Sequence, residues 1–318
     1  MLKNYRSLLC EQTLAPEIAN VGPWHARFQD HVRQLGRLDR LTLNLTILRR
    51  LNIRDRFATR YLSGNGIEIG AQNVPTKVDS TRASVEYVDA LSNDELCSRY
   101  SLDPARLVPL AHVADAHDLS VYADAALDFL IANHVLEHFD DPIGGLVEWL
   151  RVLRPGGRLF ITVPNYRSNA FDWTRQPEGR RHFESDHFDV PGRAQRNRRH
   201  YLDMAAGMLR KPDGDPEVVW LVDRWIDRGD RHHYHVWDEP ALLDAVELAA
   251  EIAGAGLCLE GWLTARNGFE LLVVLRKAEG ARHSFSRPAA WSMALSNAAV
   301  VGRNLVAGAI EFYTGAGR

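Results

Sequence analysis

Hydrophobic and polar positions between residues 127 and 165 follow a strand, helix and strand pattern. Residues 127–132 form an apolar run with one acid near its start, which is typical of a strand buried on both faces of a parallel sheet. Apolar residues then recur at helical spacing at Ile143, Leu146, Val147, Leu150 and Leu153. A second apolar run, residues 158–163, follows the sequence ArgProGlyGly. The pattern predicts a βαβ unit with parallel strands.

Polar side chains crowd the point where the first of these strands ends. They are Asn133, His134, Glu137 and His138. Open α/β sheets bind ligands at the carboxyl ends of their strands, so this cluster predicts a binding site at that edge. The helix that follows has Asp140 or Asp141 available as its N-cap, and Pro142 suits its first turn.

The order of these segments resembles that of the class I S-adenosylmethionine-dependent methyltransferases. The resemblance is carried by AsnHisValLeuGluHis after the first strand, ArgValLeuArgProGlyGly at the end of the helix, and ValProAsn at the end of the second strand. It is closest to the small-molecule branch, including bacterial members found beside glycosyltransferases. The resemblance covers about residues 61–277. It implies an α/β, Rossmann-like fold with a doubly wound, mostly parallel seven-stranded sheet that ends in an antiparallel hairpin.

Further strands and a helix fit that architecture. We predict strands over residues 64–70, 85–89 and 107–113, and a helix to Tyr100 after the second of these. Asp238 and Pro240 start a helix that runs to about residue 253. Strands over 257–264 and 269–275 are joined by AlaArgAsnGly, a hairpin signal.

The resemblance assigns cofactor contacts to the ends of the strands. Glu68 and Gly70 match the acid and glycine that approach the amino-acid part of S-adenosylmethionine, although Gln72 and Val74 stand where the family has further glycines. The competing interpretation is an ordinary turn after a strand. The predicted cofactor residues are Glu68, Gly70, Ala71, Asp89, Asp115, Asn133 and His134.

Two of these acids have alternatives. Asp89 lies about twenty residues after Glu68, where a carboxylate can accept both ribose hydroxyl protons, but it could instead cap the following helix. Asp115 matches the acid placed against the adenine amino group, with Asp118 as its competitor. Either of these two could be a solvent-facing loop acid.

We predict one domain with an extension at each end. Residues 1–60 form a helical N-terminal extension, since leucines recur at spacings of three and four from residue 24 onward. Residues 61–277 form the methyltransferase domain, with a lid or acceptor insertion at about 166–237. Residues 278–318 form a C-terminal accessory helical segment that packs on the domain or joins a homodimer.

The insertion is rich in Arg, His, Asp and aromatic residues. Seven arginines lie within 175–199, and HisPheGluSerAspHisPheAsp occupies 182–189. The arginines could attract an anionic group on the acceptor, or they could form a solvated face. His182, Asp186, His187 and Asp189 have the chemistry of metal ligands, but spacing alone does not establish a site. We therefore predict a polar lid and no metal.

Two histidines are candidate catalytic bases, since transfer to a hydroxyl requires a proton acceptor and histidine titrates near neutral pH. His138 follows the end of the first strand of the βαβ unit, where it could act as the base or shape the cofactor pocket. His235 precedes the cap of the helix at 238, and its alternative is local capping or packing against Trp237.

Net charge, cysteine spacing and the lengths of apolar runs argue against several classes of function. The net charge of −3 argues against a nucleic-acid binder, and three widely separated cysteines indicate neither a disulfide framework nor a zinc motif. No run approaches the ~18 apolar residues of a membrane span. We expect a cytoplasmic methyltransferase that modifies a hydroxyl of a polar small molecule such as a sugar or glycan precursor. A nicotinamide-dependent oxidoreductase and a non-catalytic partner of the same fold are the rival classes.

Overall fold

The computed structural model describes residues 54–166, 172–264, 270–278 and 285–286. Most of the predicted N-terminal extension, the AlaArgAsnGly turn and nearly all of the C-terminal segment lie outside these residues. Among the described helices, none combines the length and the apolar content needed to cross a membrane.

One mixed sheet organises the chain. Its strands are β1 (Gly64–Ile69), β2 (Ala83–Asp89), β3 (His112–Val113), β4 (Leu127–Asn133), β5 (Leu153–Pro164), β6 (Leu257–Thr264), β7 (Glu270–Lys277) and β8 (Phe285–Ser286). The order across the sheet is β3-β2-β1-β4-β5-β7-β6-β8. Strand β7 pairs antiparallel with β5 and β6, and the other pairs are parallel. The predicted fold class is confirmed, and the two-residue β8 is an addition to the predicted seven strands.

Besides the helical residues 54–61, the described parts of the chain contain six α-helices. They are α1 (Asn93–Tyr100), α2 (Pro142–Val152), α3 (Arg180–Phe188), α4 (Arg193–Leu209), α5 (Pro216–Asp227) and α6 (Glu239–Ile252). Short 3₁₀ turns lie at Pro104–Arg106 and Leu136–His138, and residues 54–61 are also helical. No helix lies within residues 71–82, all of which are described, so a loop alone joins β1 to β2.

The predicted helix starts are present in the structure. The Asp141 carboxylate, rather than that of Asp140, accepts a hydrogen bond from the Gly144 amide at 2.8 Å, with Pro142 in the first turn of α2. Asp238 caps α6 by accepting from the Ala241 amide at 3.0 Å. Each bond satisfies an amide that would otherwise lack a partner at the helix end.

Alternate residues of the central strands enter two separate cores. On β4, Leu130 and Ala132 pack in the core that contains residues of α2 and α6. Phe129 and Ile131 point to the opposite face, where they join Phe57 of the 54–61 helix. Burial on both faces explains why the strand is a continuous apolar run instead of an alternating one.

Two strands differ from their predicted extents. Strand β5 begins at Leu153, so ArgProGlyGly lies inside it, and a register shift opposite Leu127 and Phe129 accommodates the extra residues. Strand β3 is only two residues long. The Val108 amide upstream donates to the Gln72 carbonyl in the loop after β1 at 3.0 Å, so bonding to β2 begins only at the Ala111 amide, which donates to the Tyr87 carbonyl at 2.8 Å.

The insertion between β5 and α6 has a core of its own. Helices α4 and α5 pack through an apolar cluster that includes Tyr201, Met204, Val222 and Trp225. Its end returns to the sheet, where the Tyr166 amide donates to the Trp237 carbonyl at 3.1 Å. The proposed boundaries of this insertion and of the two extensions stay predictions.

The close approach of β1 to β4 predicts that Gly66→Ala destabilises the protein. A Cβ at Gly66 would lie 2.4 Å from the Phe129 carbonyl oxygen, a backbone atom that cannot move aside alone. We expect a loss of about 1–3 kcal/mol in the free energy of unfolding, measured by urea denaturation. Gly214→Ala is the control, since a Cβ there has nothing within 4 Å. Equal stability of the two variants would contradict the packing described.

Candidate active site

The predicted cofactor residues lie at neighbouring strand ends. In the sheet, Ile69 of β1 is in register with Val88 of β2 on one side and with Ala132 of β4 on the other. Gly70, Asp89 and Asn133 follow or end these three strands and therefore occupy one edge. The chain order reverses between β1 and β4, so this edge is the switch point at which open α/β sheets bind ligands.

A buried hydrogen-bond network surrounds Glu68. Its carboxylate accepts from the Thr76 amide at 2.9 Å, the Thr76 hydroxyl at 2.8 Å and the Asn133 side-chain amide at 2.9 Å. Asn133 in turn accepts from the Thr162 hydroxyl of β5 at 2.9 Å. Burial raises the pKa of Glu68, and these donors oppose that effect. The network ties the loop after β1 to β4 and β5, and it engages both oxygens of the carboxylate.

The loop after β1 has a left-handed backbone at two positions. Gly70 has φ of 69°, which glycine adopts without a steric penalty. Gln72 has φ of 48°, at a cost of roughly 1–2 kcal/mol. Gln72 stands where the resembled family has glycine, and its backbone has the left-handed conformation that glycine favours. Ala71 between them is buried, and its carbonyl accepts from the Val74 amide at 2.9 Å.

Asp89 presents an unpartnered carboxylate oxygen. Its side chain is 7% exposed, and Oδ1 accepts from the Leu91 amide at 3.2 Å. Oδ2 has no hydrogen-bond partner in the part of the chain that the structure describes. Burial raises the pKa of this carboxyl group. Ser92 caps α1 with a full capping box, so the cap role considered for Asp89 is filled by another residue.

Asp115 is held by two basic side chains. Its Oδ1 is 3.2 Å from His117 Nδ1, and its Oδ2 accepts from Arg231 at 2.6 Å. These partners hold the pKa of Asp115 well below its usual range. The His117 ring stacks on Phe139, with ring centres 3.7 Å apart. Asp118, the competing acid, is exposed and accepts from the Ser120 amide at 3.0 Å.

His134 lies on the other side of β4. It has φ of 55°, and its Nε2 is 3.0 Å from Oε2 of Glu270 at the start of β7. Glu270 also pairs with Arg54, which is buried at the start of the described chain. Nδ1 of His134 is 3.5 Å from Glu137 Oε1. The 54–61 helix is thereby joined electrostatically to the end of β4.

Residues 230–235, here called the strap, cross this edge of the sheet. Asp230 pairs with Arg99 of α1 at 2.8 Å, and Arg231 pairs with Asp115. The Tyr234 amide donates to the Glu137 carbonyl at 2.9 Å. The strap therefore connects the insertion to the loops after β3 and β4, beside Asp89 and Asp115.

His138 contacts the strap directly. Its Nδ1 is 3.0 Å from the Arg231 carbonyl, and because a carbonyl can only accept, Nδ1 carries the proton and Nε2 has a free lone pair. Burial lowers the pKa of His138, so the ring is neutral at pH 7. The His138 ring meets that of His233 edge-on, and His233 Nδ1 lies 2.7 Å from Asp172 Oδ2.

Glu137 completes this group. It is 1% exposed, and burial raises its pKa to about 7. Potential ligand atoms of Glu137, His138 and His233 all lie within 4.8 Å of one another. The spacing of these residues in the sequence places Glu137 and His138 together but gives no sign of Asp172 or His233.

His235 occupies a different environment. It is 1% exposed, with Nδ1 3.0 Å from the Phe139 carbonyl and Nε2 2.9 Å from Asp186 Oδ2. Its ring centre is 6.0 Å from that of Trp237, the packing partner considered from the sequence. The structure thus places the two candidate bases in separate clusters, His138 at the strap and His235 beside α3.

The family comparison matches the same part of the chain. Residues 68–161 match the family described as a methyltransferase domain. This part of the chain is similar to a methyltransferase domain. The resemblance to class I S-adenosylmethionine-dependent methyltransferases is confirmed for these residues.

Individual relatives are distant. An uncharacterised 37.1 kDa protein in transposon TN4556 of Streptomyces fradiae is 39% identical over 61 residues, which cover 19% of this chain and 17% of that protein. The solved CurJ carbon methyltransferase is 14% identical, covering 83% of this chain and 62% of its own, with a TM-score of 0.40. The N-methyltransferase NodS from Bradyrhizobium japonicum WM9 is 12% identical, covering 74% and 98%, with the same TM-score.

The Glu68 network predicts that Glu68→Gln destabilises the protein. The substitution replaces an oxygen that accepts hydrogen bonds with an amide that faces the donors of Thr76 and Asn133. We expect a loss of about 1–3 kcal/mol in the free energy of unfolding, measured by urea denaturation. Glu184→Gln is the control, because Glu184 forms a surface pair with Arg180 that should contribute little. Unchanged stability of Glu68→Gln would show that this network does not hold the loop.

Proposed function

We propose that the protein transfers a methyl group from S-adenosylmethionine to a hydroxyl of a polar small molecule, such as a sugar or glycan precursor. The observation that carries the cofactor assignment is the buried, unpartnered Oδ2 of Asp89 at the end of β2. A buried polar atom without a partner is costly, and a ribose hydroxyl is a donor that would satisfy it.

The neighbouring residues fit the remaining parts of that cofactor. Gly70 and Ala71 let the backbone approach its amino-acid end, in a loop whose shape Glu68 and Asn133 maintain. Asp115 and the stacked His117 lie beside the adenine position, with Arg231 holding Asp115 ionised. His134, paired with Glu270, lies at the boundary between cofactor and acceptor. These assignments are proposals drawn from the family resemblance together with the geometry.

His138 is the base that we propose for the transfer. S-Adenosylmethionine, when bound, supplies a methyl group on a sulfonium, so the protein need not create a leaving group. With that cofactor held by Gly70, Ala71 and Asp89, its methyl group would go to the acceptor oxygen, and Nε2 of His138 would take up the hydroxyl proton. That nitrogen is available because the Arg231 carbonyl fixes the proton on Nδ1.

The acceptor would lie between the end of β4 and the strap. Glu137, His138 and His233 present oxygen and nitrogen atoms there, which suits a ligand with several hydroxyl groups. The arginines of the insertion do not favour an anionic acceptor, since most of them pair with carboxylates, as do Arg175, Arg193 and Arg196. A cytoplasmic location and a homodimer stay predictions.

Cofactor binding is tested by calorimetric titration of the full chain. We expect S-adenosylmethionine and S-adenosylhomocysteine to bind in the micromolar range and NAD not to bind. Asp89→Asn should weaken binding by about 10-fold or more, because a charge-assisted hydrogen bond contributes roughly 1.5–3 kcal/mol.

Asp94→Asn is the matched control, since Asp94 is a nearby exposed acid of α1. Binding of NAD, or equal affinity for the sulfonium pair in the Asp89 variant and the wild type, would contradict the proposed cofactor site.

The base is tested with His138→Gln. We expect kcat to fall about 100-fold or more while the Kd for S-adenosylmethionine stays within a few-fold of the wild-type value. The assay measures S-adenosylhomocysteine formed with a panel of hydroxyl-bearing sugars. His112→Gln, on β3, is the control. Full activity of His138→Gln on an acceptor that the wild type methylates would exclude His138 as the base.

A further inference from the structure

A second cluster, remote in sequence, joins α3, α4 and the strap. His182 and Asp186 lie one turn apart on α3, His200 lies on α4, and His235 ends the strap. His182 Nε2 is 3.0 Å from His200 Nε2 and 3.1 Å from Asp186 Oδ2. His235 Nε2 is 2.9 Å from the same carboxylate oxygen. One ligand atom from each of the four residues lies within 4.8 Å of all the others.

A hydrogen bond to the backbone orients the lone pair of His235 toward the other three residues. The Phe139 carbonyl can only accept, so it fixes the proton of neutral His235 on Nδ1 and leaves Nε2 as a lone pair. That lone pair faces the Asp186 carboxylate, another acceptor, at hydrogen-bond distance. A histidine oriented by a backbone carbonyl at one nitrogen, with the other nitrogen free, is the usual arrangement of a metal ligand.

The distances fit a tetrahedral ion. Ligand atoms about 2.0 Å from zinc lie roughly 3.3 Å from one another. Three of the six separations among the four residues are 2.9–3.1 Å, and the other three are within 4.8 Å. Three imidazole nitrogens and one carboxylate oxygen are a common ligand chemistry for zinc. Asp186 uses its other oxygen to accept from Arg196 at 2.6 Å, which orients the carboxylate toward the cluster through a single oxygen.

We propose that His182, Asp186, His200 and His235 bind one Zn²⁺ ion. All four positions are filled by protein side chains, and Asp186, His200 and His235 are buried. A closed, four-ligand site of this kind is structural, since no position is left for a substrate. The ion fixes the end of the strap against α3 and α4, and so determines where Arg231 and His233 lie at the methyltransferase site.

The rival arrangement contains protons instead of a metal. A doubly protonated His235 could donate to both the Phe139 carbonyl and Asp186, and His182 could donate to His200. This network requires a buried imidazolium, whereas zinc needs only the neutral rings. The two arrangements differ in metal content and in spectrum, neither of which depends on S-adenosylmethionine binding or on activity.

Metal analysis of the full chain, purified without an affinity tag or chelator, tests the proposal. We expect about one equivalent of zinc by mass spectrometry. Protein stripped with a chelator should regain one equivalent, unfold at a lower temperature when metal-free, and show visible absorption typical of tetrahedral cobalt when loaded with Co²⁺. Failure of the stripped, folded protein to bind either ion would overturn the site in favour of the proton network.

Variants locate the ion. His200→Gln and His235→Gln should each lose most of the bound metal, whereas His187→Gln should keep it, because His187 is on the same helix but bonds to Asp141. His233→Gln tests the neighbouring cluster with Glu137 and His138. Loss of metal in His233→Gln but not in His200→Gln would place the ion there and overturn the proposal. If His200→Gln or His235→Gln does not fold, the cobalt spectrum of His233→Gln decides between the clusters: an unchanged spectrum supports the proposed site, and its loss overturns it.

Discussion

The site depends first on the burial of Glu68. A carboxylate at this depth is stable only if donors surround it, and the donors come from the loop after β1 and from the end of β4. The same bonds that satisfy Glu68 therefore fix the loop that contains Gly70 and Gln72. The strained backbone at Gln72 is tolerated because both sides of that loop are held. The proposed cofactor contacts at three strand ends depend on this one constraint.

Ion pairs hold the insertion in place beside the proposed acceptor site. The insertion has many arginines, and their carboxylate partners lie mostly within the insertion or on the domain beneath it. Two pairs, Arg99 with Asp230 and Arg231 with Asp115, hold the strap across the strand ends. The strap in turn places His233 beside His138. If the proposed zinc ion is bound, the far end of the strap is fixed as well, so metal and cofactor sites share one segment without sharing a ligand.

The central architecture could be predicted from the sequence, because the patterns that specify it lie within short segments of the chain. The βαβ unit, the caps at Asp141 and Asp238 and the antiparallel end of the sheet all follow from apolar periodicity and cap residues. The predicted start of β5 and the predicted length of β3 were wrong, because they depend on a register shift opposite Leu127 and on the bond from the Val108 amide to the Gln72 carbonyl in the loop after β1. Neither feature has a signal within the segment itself.

The clusters were the least predictable feature. His182 and Asp186 are visible as a pair at helical spacing, but His187 and Asp189, next to them in sequence, bond to Asp141 and Arg196 instead. His200 and His235 join only through the packing of α3, α4 and the strap. Asp172 likewise orients His233, and Thr76 orients Glu68. Neither Asp172 nor Thr76 belongs to a motif that the sequence shows. Side chains brought together over long sequence separations cannot be found from spacing.

A crystal structure of the full chain grown with S-adenosylhomocysteine tests the central claim most directly. The account predicts the ribose hydroxyl groups within hydrogen-bond distance of Asp89, the amino-acid end beside Gly70, and the sulfur facing His138 beneath the strap. Density for the nucleoside at another edge of the sheet, with Asp89 Oδ2 still without a partner, would contradict it.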